Sequence, residues 1–187
     1  RLQLLGGATA SLSVGANAWA QAPAFPKGAV IRTLFKDYAP EELAGGATLF
    51  HEHLSLGVDF GERFRAASAA VLAAQGLSTA NAAAPLPPPA DDPMRSVDLM
   101  TEELRTAQRE GVACLVDAGL EGAGMDLEFI RTVAMRSGMP VVKGAGFYVE
   151  PFYPKEVAAM SEEQVVRTLL RQVESYPAGV FGEIGSW

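Results

Sequence analysis

Two histidines, the only two in this chain, lie two positions apart near the end of an apolar run, His51 and His53 in the segment A-T-L-F-H-E-H over residues 47–53. In a β-strand, residues i and i+2 point to the same face, so both imidazole rings can reach one point. In a helix, the same spacing directs them to nearly opposite sides. Imidazole is the commonest metal ligand, and two at one strand end form half of a typical zinc shell. The pair therefore favours a metal site, the alternative being two ordinary surface or turn histidines.

The surrounding pattern alternates apolar strands with helices. It predicts strands over residues 30–35, 47–53, 112–117, 140–146 and 179–184, and helices over 96–110, 126–137 and 161–175. Such alternation is typical of βα units and a parallel sheet. Four units fit either an open doubly wound sheet or half of a (β/α)8 TIM barrel. No G-x-G-x-x-G motif follows a strand, so a dinucleotide site is not supported.

Polar residues collect where the predicted strands end: His51, His53, Asp117 and Glu183. In TIM barrels, catalytic groups come from the carboxyl ends of several strands. A whole barrel needs about 250 residues, so the 187 residues here suit about the first four βα units. For Asp117 alone a structural hydrogen-bonding role is favoured, and Glu183 taken alone could be a salt-bridge partner at a strand end.

Composition restricts the class of protein without naming a substrate. Hydrophobic residues make up 49% of the chain, which is enough for a core, and the net charge is −7. An acidic surface argues against general affinity for nucleic acid or anionic membranes. The single cysteine, Cys114, lies among apolar residues and is predicted to be a buried strand thiol, not a nucleophile.

The first twenty residues resemble an export signal. After Arg1 they carry no charge, and A-W-A at residues 18–20 suits cleavage before Gln21. Arg1 followed by L-Q-L also resembles the tail of a twin-arginine signal. We expect a periplasmic or secreted protein that has no membrane association after cleavage; a disordered apolar leader or a membrane anchor is the alternative. Residues 21–187 would form the barrel half, with a Pro/Ala-rich insertion at about 63–95.

Several motifs together resemble one family. Residues 48–54 read T-L-F-H-E-H-L, residues 144–149 read G-A-G-F-Y-V, and residues 182–187 read G-E-I-G-S-W. In this order they look like the phosphotriesterase family of the amidohydrolase superfamily, closest to its phosphotriesterase-related branch. The resemblance covers roughly residues 28–187 apart from the insertion, and residues 30–43 resemble the opening hairpin of that family.

The resemblance implies a (β/α)8 barrel with two divalent metals, usually zinc, at its mouth. On that pattern His51 and His53 would bind the first metal, and Glu183 matches the ligand that bridges the two metals. Tyr148 would face a small-molecule substrate, with a packed loop aromatic as an equally weighted alternative.

The implied activity is a binuclear metal-dependent hydrolase of ester-type bonds, namely a phosphotriester, a lactone or a carboxylic ester, in which a metal-activated hydroxide attacks. The family's further ligands, histidines of strands five and six, and its strand-eight aspartate have no counterpart in this chain, so the catalytic residue is unknown and this stretch alone is expected to be inactive. A non-catalytic zinc-binding member of the family, or a protein whose histidines bind a metal at the surface, are the alternatives. The resemblance also suggests a homodimer, although the sequence leaves the oligomeric state open.

Overall fold

The computed structural model describes residues 24–78 and 92–185. Within them the chain forms eleven main elements and several short 3₁₀ turns. In chain order these elements are β1 (Ile31–Arg32), β2 (Asp37–Tyr38), α1 (Pro40–Leu43), β3 (Ala47–Glu52), α2 (Phe60–Ala74), α3 (Val97–Arg109), β4 (Val112–Asp117), α4 (Leu127–Ser137), β5 (Val141–Ala145), α5 (Glu162–Ser175) and β6 (Val180–Phe181).

Four of the strands form one parallel sheet in the order β3-β4-β5-β6. Each strand pairs with the next one along the chain, which is the connectivity of a barrel wall and confirms the predicted α/β class and half-barrel. β5 is buried along its whole length, as expected for a parallel strand covered on both faces.

The main core lies between the sheet and helices α3 and α4. Leu115 of β4 and Val141 of β5 pack there against Leu104, Ile130 and Val133 from the two helices. The helices begin where the sequence predicts, because side chains at their N-termini accept backbone N–H groups as caps. These caps are Ser96, Asp126 and Ser161, the last in a capping box with Gln164.

A second, smaller core lies on the opposite face of the sheet. Cys114 and Val116 of β4 pack there with Val142 of β5 and Leu43 of α1. The alternation of side chains along a strand explains why these residues and Leu115 separate into different cores. Cys114 is 1% exposed, which confirms the buried thiol, and its burial raises the pKa of that thiol.

Two predicted strands are much shorter in the structure. The strand predicted over 30–35 is reduced to β1, because the backbone turns back at Thr33, whose N–H donates to Lys36 O. The hairpin with β2 matches the expected opening hairpin. The strand predicted over 179–184 is reduced to β6, because Gly182 has φ +132°, which a continuing strand does not adopt.

The predicted insertion at about 63–95 includes most of α2, which starts at Phe60. The Pro-rich part of the insertion, residues 82–89, lies outside the described residues, and so do the predicted signal segment and Trp187. Among the helices that the structure does describe, none has the length and apolar character needed to span a bilayer.

Candidate metal centre

The three predicted metal ligands meet at the carboxyl end of the sheet. Nε2 of His51 lies 3.1 Å from Oε2 of Glu183, and Nε2 of His53 lies 3.3 Å from the same oxygen. One potential ligand atom from each of the three residues lies within 4.8 Å of the others. The rings of His51 and His53 are 5.2 Å apart between centroids and meet edge to face.

The backbone around these residues explains the convergence. β3 carries His51, and Glu183 follows β6 at the same carboxyl end of the parallel sheet. The N–H of Glu183 donates to Ala118 O, and the N–H of Ala118 donates to Glu52 O. Hydrogen bonds across the ends of three strands therefore hold the histidine segment and Glu183 at the same level.

The donor set suits a divalent transition metal. Two neutral imidazoles and a carboxylate offer nitrogen and oxygen lone pairs, which zinc and its first-row neighbours accept. Nδ1 of His53 is buried and has no hydrogen-bond partner among the described residues. No hydrogen bond at Nδ1 therefore holds the ring in an orientation that would prevent Nε2 from binding a metal. The residues present thus fit a metal ion, although this donor set does not select one metal.

Tyr148 lies beside this cluster. Burial, together with the negative charge of the adjacent Glu183 and a hydrogen bond to it, raises the pKa of Tyr148. The phenol is therefore neutral at physiological pH and lies beside the Glu183 carboxylate. The Tyr148 ring also contacts Phe152 at 5.4 Å and Phe60 at 6.3 Å between centroids. It is thus both a packed aromatic and a neighbour of the candidate ligands, and its predicted substrate contact stays a prediction.

Two openings flank the ligand cluster. A shallow cavity of about 260 Å³ is lined by His51, Glu183, Val116 and Phe181. A second cavity, of about 380 Å³, lies on the side of His53 and is lined by Leu49, Met100 and Leu104 among others. Val116 belongs to the smaller core, so the first cavity lies on the face of the sheet opposite helices α3 and α4. It gives a small molecule access to the ligand atoms from that face.

One buried charge near the site was not predicted from the sequence. Lys143 of β5 is completely buried and forms an ion pair with Asp117 of β4, Nζ to Oδ1 2.9 Å. Asp117 thus has the structural hydrogen-bonding role that the sequence favoured. An isolated lysine within an apolar strand was the available signal, because a charge at such a position needs a buried partner.

Comparison with known proteins agrees with this geometry. The sequence profile of the phosphotriesterase family matches residues 38–186, and the chain belongs to that family. The match runs from β2 to just beyond Glu183, so it includes all three candidate ligands.

Characterised relatives are hydrolases. The human N-acetyltaurine hydrolase is 31% identical over 100 residues, which is 50% of this chain and 29% of the human protein. The chain thus covers less than a third of the length of that relative.

Solved structures share the fold. A resiniferatoxin-binding protein from Rhodobacter sphaeroides superimposes with TM-score 0.59 at 23% identity, over 83% of this chain and 46% of the other. The phosphotriesterase homology protein from Escherichia coli, complexed with phosphate in its active site, gives TM-score 0.50 at 19% identity, over 76% and 40%. At these identities the likeness concerns the fold alone.

Proposed function

We propose that this chain carries the first half of the active site of a metal-dependent hydrolase. The observation that carries the proposal is the convergence of His51, His53 and Glu183 on one point at the carboxyl end of a parallel half-barrel. In barrels of this kind the reacting groups occupy that end. Membership of the phosphotriesterase family and the hydrolase activity named for the human relative support the same conclusion.

Each residue has a distinct part in this proposal. His51 and His53 would hold one divalent ion through Nε2, and Glu183 would contribute a carboxylate to that ion and to a second one. A divalent metal pair, with zinc as the expected ion, supplies Lewis-acid polarisation and a nucleophile at neutral pH. Tyr148, beside the Glu183 carboxylate, would face the substrate. The group that transfers the proton is not assigned to any residue of this chain.

The substrate we propose is a small molecule with a hydrolysable ester-type bond: a phosphotriester, a lactone or a carboxylic ester. N-acetyltaurine, the compound in the name of the relative, contains an amide, so amides belong to the substrate panel as well. The shallow cavity beside His51 and Glu183, about 260 Å³ in volume, suits a small substrate group and not a polymer.

Metal binding by the protein expressed from its complete reading frame is the first test. We expect the purified protein to contain zinc or another divalent metal, and the variants His51→Ala and Glu183→Gln to lose most of it. Glu52→Gln is the matched control, since Glu52 lies between the two histidines in the chain but does not belong to the ligand cluster. Equal metal content in Glu183→Gln and Glu52→Gln would refute the proposed centre.

Hydrolysis of a panel of phosphotriesters, lactones, carboxylic esters and N-acyl amides is the second test. We expect turnover of at least one class, its loss on treatment with a chelator, and its recovery on adding the metal back. Metal binding without turnover of any class would favour a non-catalytic metal-binding member of the family.

A further inference from the structure

A buried ion pair lies next to the segment that carries the candidate ligands His51 and His53. Asp117 and Lys143 are register partners on β4 and β5, and both side chains are fully buried. The register pair two positions earlier, Leu115 and Val141, belongs to the apolar core. Two positions further along the same strands, at the last residue of β4 and the middle residue of β5, the apolar pair is replaced by a charged one.

Both side chains of this pair make several hydrogen bonds. Nζ of Lys143 lies 2.9 Å from Asp117 Oδ1, and it also donates to the backbone carbonyl oxygens of Asp117, Gly119 and Gly144. The ammonium has three protons, and these acceptors account for them. Asp117 Oδ1 additionally accepts the N–H of Gly119 at 3.1 Å.

The second oxygen of Asp117 reaches the histidine segment. Asp117 Oδ2 accepts the backbone N–H of Leu54 at 2.8 Å, and Leu54 directly follows His53. The Leu54 side chain is buried in the core between the sheet and the helices. The residue after His53 is therefore held twice, through its amide by Asp117 and through its side chain by apolar packing.

We propose that Asp117 and Lys143 act as a positioning pair, which fixes the backbone at His53 and thereby sets the metal affinity of the centre. An apolar pair at this level would avoid the desolvation of two charges, and replacing buried ion pairs by apolar residues is often neutral or stabilising. An apolar pair could not accept the Leu54 amide. Lys143 has the supporting part, because its Nζ lies 2.9 Å from Asp117 Oδ1 and holds that carboxylate in its orientation.

This inference rests on the proposed metal centre, so its test compares variants of the complete protein in metal binding. We expect the zinc dissociation constant to rise about tenfold or more in Asp117→Asn and in Lys143→Met, as is usual when supporting hydrogen bonds of a metal site are removed. Asparagine replaces one acceptor oxygen by an NH₂ group. It therefore cannot accept hydrogen bonds at both of the positions that the two carboxylate oxygens of Asp117 occupy. The absorption spectrum of the cobalt-substituted protein should change in both variants.

Val133→Ala is the control for a general loss of stability. Val133 is fully buried in α4 and belongs to the main core. Its apolar side chain makes no hydrogen bond to the ion pair. We expect it to lower the melting temperature while the zinc affinity and the cobalt spectrum stay those of the wild type. Wild-type affinity and spectrum in a folded Asp117→Asn protein would overturn the inference, as would an equal loss of affinity in Val133→Ala.

A measurement on the unmodified protein covers the case in which the variants do not fold. The Leu54 amide proton should resonate far downfield and exchange slowly, because it is donated to a buried carboxylate. Rapid exchange of this amide would overturn the inference. If the wild-type protein binds no metal, the proposed centre itself fails, which is a separate result from unchanged affinity in Asp117→Asn.

Discussion

Nε2 of His51 lies 3.1 Å from Oε2 of Glu183, although one residue belongs to the first strand of the sheet and the other follows the last. Neighbouring strands lie about 4.8 Å apart, so in a flat sheet the first and fourth would be separated by roughly 14 Å. Contact between these side chains therefore requires the sheet to curve strongly toward the face that carries them. The candidate centre depends on the curvature of a barrel wall, and not only on the identity of its ligands.

Gly144→Ala tests this dependence on the packing of β5 against β6. A Cβ at Gly144 would collide with the carbonyl oxygen of Gly182, the residue before Glu183. We expect the strands to separate, the free energy of unfolding to fall by about 1–3 kcal/mol, and the zinc affinity to fall as Glu183 moves away from His51. Urea denaturation and zinc titration measure the two effects.

Gly45→Ala is the matched control for this prediction. A Cβ at Gly45 meets nothing within 4 Å, so the same added methyl group should leave zinc affinity unchanged. A Gly144→Ala protein that binds zinc as the wild type does would show that the β5–β6 contact does not position Glu183.

Local patterns were sufficient to predict most elements of this fold. The caps Ser96, Asp126 and Ser161 mark helix starts through hydrogen bonds made within a few residues, so a short stretch of sequence contains the whole signal. The apolar strand β4 and its neighbour β5 were recognisable for the same reason. The lengths of β1 and β6 were not, because they depend on where the hairpin turns at Thr33 and on the backbone of Gly182.

In the candidate site, too, local patterns were predictable and contacts between distant parts of the chain were not. His51 and His53 share a strand, so their spacing alone indicated a common target. Glu183 became a candidate ligand through family resemblance, because nothing local to that residue relates it to a strand so distant in the chain. The pairing of Lys143 with Asp117 was not predicted, since it depends on the register between β4 and β5.

Export is a prediction that the described residues do not test. We expect the mature protein, expressed with its complete N-terminus in a bacterial host, to start at Gln21 and to be recovered from the periplasm. Small residues are required at the cleavage site, so Ala20→Tyr should prevent cleavage, whereas Ala22→Val, on the mature side, should not. N-terminal mass spectrometry distinguishes the products. An intact N-terminus in the wild type would contradict the signal assignment.

Tyr148→Phe tests whether the Tyr148 hydroxyl holds the neighbouring Glu183 carboxylate in place. Glu183 lies close enough to raise the pKa of Tyr148, and a hydrogen bond from a phenol to a carboxylate contributes about 1.5–3 kcal/mol. We expect the zinc dissociation constant to rise by about tenfold, because Glu183 loses the group that orients it. Tyr153→Phe is the control: Tyr153 lies in the same loop but contacts Phe147, at 5.9 Å between ring centroids. Equal affinities in the two variants would assign Tyr148 to packing alone.

Tyr176 makes stability depend on pH in the alkaline range. Its hydroxyl donates to Gly144 O at 3.1 Å, and burial, with smaller effects from Glu121 and Asp117, raises the pKa of Tyr176 to about 12. A folded-state pKa above the unfolded value of about 10 means that folding favours the neutral phenol. The stabilisation is complete below pH 10 and is lost as the pH rises from 10 to 12, at a cost on the order of 2 kcal/mol.

Tyr176→Phe isolates this effect from the other groups that titrate at alkaline pH. At pH 8 the variant should be less stable than the wild type by about 1 kcal/mol, because it lacks one hydrogen bond. Phenylalanine cannot ionise, so the difference should shrink above pH 10 and reverse at about pH 11. Tyr38→Phe, in β2 of the hairpin, removes a hydroxyl at a less buried position and should show no such reversal. A constant difference between Tyr176→Phe and the wild type from pH 8 to 12, measured by urea denaturation, would mean that Tyr176 does not titrate with folding.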